Sequence, residues 1–308
     1  MTTQTPDRVI TWHEDEIPMM VSAPRPGAGT RALDFADRDR GISFRISSFT
    51  QSAADRRERP LFSPRHRHTF DQFRFYISGE TQYGSKNSHE VYGAGDCLYI
   101  PAGIHYGPMR LPENAADEAY RLFYIQYQGM SGIPYYSSED LVGARERLES
   151  KGKFEEGIFK WNDGHNQDGW EAMLQEELGR EVAYPQPAVS NYIAIRTRNL
   201  NWTPSVEHAG VSIKSIGHFT EVGPNAMLIH MDAGSVTPAG KAPYQQARCL
   251  ISGRVRFGEE DRVFGQTTNR YIPPDVPFGA TECVEDATIL IVKWAADGQG
   301  LYAPDLAV

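Results

Sequence analysis

The sequence predicts an all-β protein built from a duplicated domain, with a partly helical connector between the copies. Three observations carry this. Glycine and proline, 28 and 20 of 308 residues, make up about 16% of the chain against an average near 12%, which favours many turns between short strands. Three segments recur in the same order: GISFRISSFT ending at Thr50 with GVSIKSIGHFT ending at Thr220, TFDQFRFYISG ending at Gly79 with PYQQARCLISG ending at Gly253, and YIPAGIHYG with YIPPDVPFG, Pro101 against Pro273. Their offsets of 170, 174 and 172 drift by only four residues, the mark of a repeat rather than of chance. Within each copy, short runs such as Leu122–Tyr127 and Ala287–Val292 are punctuated by glycine and proline, as antiparallel strands are.

The elements follow in order. Residues 1–40 form an N-terminal arm to which no element is assigned. Residues 41–130 and 209–308 are the two barrel-like copies. Residues 131–208 are the connector, with a weaker helix over about 138–150 and a stronger one in which Trp170, Met173, Leu174 and Leu178 fall on one face. Asp168 before that helix, with Glu171 three residues on, is a capping signal.

Composition narrows the function. Hydrophobic residues are 40%, charged residues 23% and aromatics 11%, a globular balance. The net charge of −9 has the wrong sign for a surface that tracks nucleic-acid phosphates. The first residues lack a basic n-region followed by an apolar h-region, and no stretch approaches 18 uninterrupted apolar residues, so a cytoplasmic protein without a membrane span is expected. Cys97, Cys249 and Cys283 are odd in number and widely spaced, which fits reduced, buried thiols. Homo-oligomerisation is expected because sheet edges need cover.

Candidate chemistry concentrates in the first copy. His66 and His68 lie two apart in an extended run, so both rings face one side. Parity extends that face through Phe70, Gln72, Arg74 and Tyr76. His105 follows the Pro101-Ala102-Gly103 turn. His-x-His, Gly79, then Gly95-x5-Pro101-x-Gly103 and a histidine resemble the two-motif signature of the cupin superfamily. The resemblance implies a small antiparallel jelly-roll barrel, here duplicated as a bicupin. It further implies a metal held by His66, His68 and His105, whose repeat counterparts are Gly240, Ala242 and Pro277, so that only the first copy would hold it. Gln72 stands where many cupins carry a glutamate ligand; three neutral imidazoles would leave adjacent positions for substrate and dioxygen.

At finer scale His66-Arg67-His68-Thr69-Phe70-Asp71-Gln72-Phe73-Arg74-Phe75 resembles the HRHTxxxxRF run of the gentisate and salicylate 1,2-dioxygenases, although Gly107 replaces a second histidine of that group. This implies iron(II), a small aromatic hydroxy acid and dioxygen as reactants, with Arg74 and Gln72 at the substrate carboxylate. Zinc, manganese and nickel also suit three histidines. Because Arg248 and Gln246 repeat the Arg74/Gln72 pair where no metal could sit, a structural role in both copies is the competing reading. Tyr83, Tyr92, Tyr106, Tyr124 and Gln126 are candidates to line the pocket. Two other functions stand beside the dioxygenase: a non-oxidative metal enzyme (hydrolase, lyase or isomerase), and a bicupin that binds a small molecule without turnover.

Overall fold

The structure, a computed structural model, describes residues 7–18, 20–21, 29–37, 42–51, 62–85, 87–112, 120–128, 131, 133, 136, 140–155, 157–187, 189–220 and 223–295. In chain order the strands begin with β1 (Ile10–His13), β2 (Met20–Val21), β3 (Gly29–Asp37), β4 (Ile42–Gln51), β5 (Phe62–Ser63) and β6 (Phe70–Ser78). They continue with β7 (Glu80–Gly84), β8 (His89–Gly93), β9 (Asp96–Ile100), β10 (Met109–Arg110) and β11 (Tyr120–Gln128). Helix α1 (Val142–Leu148), strands β12 (Gly152–Glu155), β13 (Ile158–Trp161) and β14 (Asn166–Asp168), and helix α2 (Gly169–Leu178) come next. The remainder is β15 (Ile193–Arg196), β16 (Thr203–Pro204), β17 (Val211–His218), β18 (Asn225–Met231), β19 (Val236–Thr237), β20 (Gln245–Phe257), β21 (Val263–Phe264), β22 (Thr268–Ile272) and β23 (Thr281–Trp294). The all-β jelly-roll expectation holds. No helix among the described residues is long and apolar enough to cross a membrane.

Two compact units result, one of residues 19–194 and one of residues 1–18 with 195–308. The first sets β9-β6-β11-β4-β3-β2 in one antiparallel sheet and β5-β10-β7-β8 in another. β6 is buried along nearly its whole length, so its sequence FDQFRFYIS reads as a near-continuous rather than an alternating run. Its even positions face a tyrosine-rich interior: Tyr76, Tyr83, Tyr92 and Tyr106 cluster with Leu98, Ile100, Met109 and Leu122. The second unit follows the same order, β22-β20-β23-β18-β17-β16, with β1 added beyond β22. Here β20 and β23, of 13 and 14 residues, run on through bulges into the pairings of β21 and β19, and Met227, Ile229, Leu250, Ile289 and Ile291 fill the interior.

Sheet order places the counterpart of β4 at β18 and that of β3 at β17. The first repeated segment had set residues 41–50 against 210–220, hence β4 against β17. Two adjacent strands of like alternation are easily exchanged when only the pattern is read. The other two segments coincide with equivalent strands.

The connector helix expected at Trp170–Leu178 is α2, capped by Asp168, whose side chain accepts from the Trp170 and Glu171 amides. The weaker one is α1. Between them β12-β13-β14 form a small antiparallel sheet that the sequence reading did not assign.

Candidate functional site

His66 and His68 lie in the irregular segment between β5 and β6, not in the strand that the sequence pattern suggests, and this segment is held against the Pro101–Tyr106 turn. His66 and Tyr106 exchange both backbone hydrogen bonds, at 3.1 and 2.9 Å, and the Gly103 amide donates to the His68 carbonyl at 2.8 Å. Gly103 turns there at φ +82°, where a Cβ would stand 3.0 Å from the Pro185 carbonyl oxygen. Asp71, on the opposite parity of β6, accepts from the Ala102 amide at 2.7 Å and from the Tyr99 hydroxyl at 3.1 Å. Burial pushes its carboxyl up to about 6, with both hydrogen bonds opposing the rise.

That backbone pairing decides which side chains meet. Residues opposite one another in an antiparallel bridge project to the same side, so Tyr106 joins His66 and His68. The His66 and His68 ring centroids are 4.8 Å apart and that of Tyr106 is 4.4 Å from His66. The Tyr106 hydroxyl lies 2.7 Å from His68 Nε2. All three residues are buried. His105, one residue out of phase, is exposed. Partial desolvation holds its imidazole low, as do Arg67 and Arg65, against the pull of Glu171. Among the described residues no group of three or more His, Cys, Asp or Glu side chains is arranged to hold a metal ion. The structure thus brings together two of the three expected histidines, with a phenol in the third place.

Hydrogen-bond direction runs consistently through this cluster. His66 Nδ1 donates to the Pro64 carbonyl at 2.7 Å, so in the neutral ring the lone pair sits on Nε2. Arg74 Nη2 donates to the Tyr106 oxygen at 2.8 Å, which leaves the phenolic proton to point at His68 Nε2. Arg74 also donates from Nε to Gln72 Oε1 and from Nη1 to the Tyr83 hydroxyl. Gln72 and Arg74 therefore bind one another, as Gln246 and Arg248 do in the second unit at 3.0 Å. Two imidazoles and a phenol are a donor set that fits a transition metal, whereas the three-histidine set does not assemble in this register.

The remaining candidates distribute around this group. Tyr83 and Tyr92 are buried in the interior cluster and Tyr124 packs against it. Gln126 faces Gln72 across the β6–β11 pair, and its buried Oε1 has no hydrogen-bond partner among the described residues. Four contacts went unread in the sequence. Trp170 of α2 meets the His68 ring edge-on at 6.3 Å, Arg67 lies 3.6 Å over the Tyr184 ring, and Glu171 accepts from both Arg67 and Tyr184, at 3.3 and 2.7 Å. In the structure Ile104, His105 and Tyr106 alternate buried, exposed, buried, which puts Tyr106 on the inner side.

No family model matches the chain, and no curated protein does. Solved structures share the fold. A protein from Nostoc punctiforme assigned as a dioxygenase aligns over 94% of this chain and 84% of its own at 14% identity and a TM-score of 0.61. HEPD of Streptomyces albus, with 2-hydroxyethylphosphonate and Fe(II) bound, aligns over 98% and 78% at 11% identity and 0.55. Oxalate decarboxylase of Bacillus subtilis aligns over 96% and 79% at 12% identity and 0.54. These neighbours are cupin-type proteins, and this chain has their fold.

Proposed function

We propose that the protein is a metal-dependent enzyme of the cupin type acting on a small molecule. In its finer form the reading is a bicupin with one mononuclear iron(II) site, in the first barrel, that uses dioxygen on a small aromatic hydroxy acid. The observation that carries it is the buried group of His66, His68 and Tyr106 beside a tyrosine-lined interior. His66 and His68 would hold the metal, with the Tyr106 oxygen as third donor. Iron, when bound, supplies the redox chemistry with dioxygen that no side chain here can.

The rest falls to the chain. The Pro64 carbonyl holds His66 in the tautomer that leaves the lone pair on Nε2. Arg74 is a positioning residue: its fork, held by Gln72 and Tyr83, fixes the Tyr106 oxygen. Gln126 Oε1 offers a buried acceptor to a substrate hydroxyl. The surrounding aromatic rings keep water from the group and give an aromatic acid apolar faces to lie against.

The test is metal content and oxygen uptake on protein purified anaerobically without a metal-scavenging tag, with gentisate, salicylate and related hydroxy acids added. Near-stoichiometric iron with substrate-dependent uptake supports the dioxygenase. Zinc or manganese without uptake would move the reading to non-oxidative chemistry, the class represented among the structural neighbours by oxalate decarboxylase. Ligand binding with no metal after reconstitution would leave a binding protein.

A further inference from the structure

The second barrel cannot repeat the metal site, because Gly240 and Phe278 form the bridge that His66 and Tyr106 form in the first. Its interior is nonetheless polar in one place. Arg248 on β20 and Arg270 on β22 are direct cross-strand partners, and both are buried, at 9% and 1% exposure. At the equivalent pair the first barrel has Arg74 and Leu98, so the second carries one more guanidinium. Two of the acceptors have also gone. Tyr83 and Tyr106, whose hydroxyls accept from Arg74, correspond to Phe257, four residues beyond the turn glycine Gly253, and to Phe278.

The guanidiniums keep the rings and lose the oxygens. Arg248 lies 4.7 Å over Phe278 and Arg270 lies 4.2 Å over Phe257. Arg248 Nη2 reaches Gln246 Oε1, but its Nε has no hydrogen-bond partner among the described residues. Arg270 makes an ion pair through Nη2 with Glu259, a partly exposed residue, while its Nε and Nη1 have no partner among the described residues. Stacking on a ring does not replace the hydration that a buried guanidinium gives up, and like charges directly opposite one another in a sheet repel. Burial lowers both groups, Arg248 to about 10 and Arg270 to about 9, so each is still charged at neutral pH.

We propose that the second barrel binds a small organic carboxylate between Arg248 and Arg270, at a site separate from the histidine cluster. The planar forks match a carboxylate, the orphaned N–H groups supply the hydrogen bonds, and Phe257, Phe278 and the apolar interior at Met227 and Ile291 receive the organic part. The inference does not depend on the dioxygenase reading.

Calorimetric titration tests it on the full chain bearing H66A and H68A, so that no metal site contributes, with benzoate, salicylate, phthalate and inorganic phosphate as probes. One equivalent of an organic carboxylate should bind, and Arg270→Leu, the residue of the first barrel, should weaken it at least about tenfold. Phe278→Tyr, which returns to Arg248 an internal oxygen, should weaken binding in the same direction without removing charge. This second variant keeps the test decisive if Arg270→Leu fails to fold. No binding by any carboxylate, or binding that neither variant changes, overturns the proposal and makes the arginines structural; phosphate binding as tightly as the carboxylates overturns the organic assignment.

Discussion

Asp71 places a carboxyl in the buried strand β6, and its cost can be measured. Its folded-state pKa, about 6, lies above the ordinary 3.8. The fold therefore favours the protonated carboxyl: that stabilisation is complete below about pH 4 and is lost as pH rises through about 6, leaving a penalty of roughly 3 kcal/mol at neutral pH. Asp71→Asn keeps an oxygen for the Ala102 amide. It should raise the unfolding free energy at pH 7 by up to about 3 kcal/mol and flatten its slope between pH 4 and 6, as denaturant melts at several pH values would show. A variant less stable than wild type at pH 7 would mean that the ionised form is the one the site requires. At this scale the sequence was legible where parity governs: His66, His68, Gln72 and Arg74 share a face as expected. It was not legible at His105, because its phase is set by hydrogen bonds across the Pro101–Tyr106 turn, which spacing along the chain does not encode.

At the scale of elements, helix α2 meets the segment that carries the histidines through Trp170, beside His68, and Glu171, which accepts from Arg67. Both backbone amides that Asp168 caps, at 3.0 Å each, belong to those two residues. Asp168→Ala should cost about 1 kcal/mol, read as a lower thermal midpoint. An unchanged midpoint would show that tertiary packing alone holds the helix. Its cap and apolar spacing made α2 readable, whereas β12-β13-β14, with strands of three or four residues, leave too short a pattern to recognise. The run Asp55-Arg56-Arg57-Glu58-Arg59, whose mixed signs suggest an exposed loop, lies outside the described residues.

Across the molecule, each unit forms a sheet of the same order, and the chain's first strand belongs to the second unit: β1 pairs with β22 from Ile10↔Tyr271 to His13↔Thr268. No local signal announces a partner some 260 residues away, and β1 could not be assigned from sequence for that reason; β2 and β3, also within the expected N-terminal arm, pair instead in the first unit's sheet beside β4. Trp12 is buried there. Deleting residues 1–18 should cost about 3 kcal/mol from the loss of Trp12 burial and expose the β22 edge to association, seen as a lower melting temperature with concentration-dependent light scattering. Retention of the full melting temperature would show that β1 contributes little. The repeat made the duplication legible, and the absence of counterparts to His66, His68 and His105 in the second copy followed from it; the charge in that copy at Arg270 could be seen only once β22 was set beside β20.

The most direct test of the account is the metal content of four single variants, H66A, H68A, H105A and Y106F, each reconstituted with iron(II) under anaerobic conditions and checked for native melting. Phe278 already occupies the equivalent of position 106 in the second barrel, so phenylalanine is sterically suited there. H66A, H68A and Y106F should lose the metal while H105A retains it. Loss in H105A with full retention in Y106F would contradict this and restore the three-histidine site.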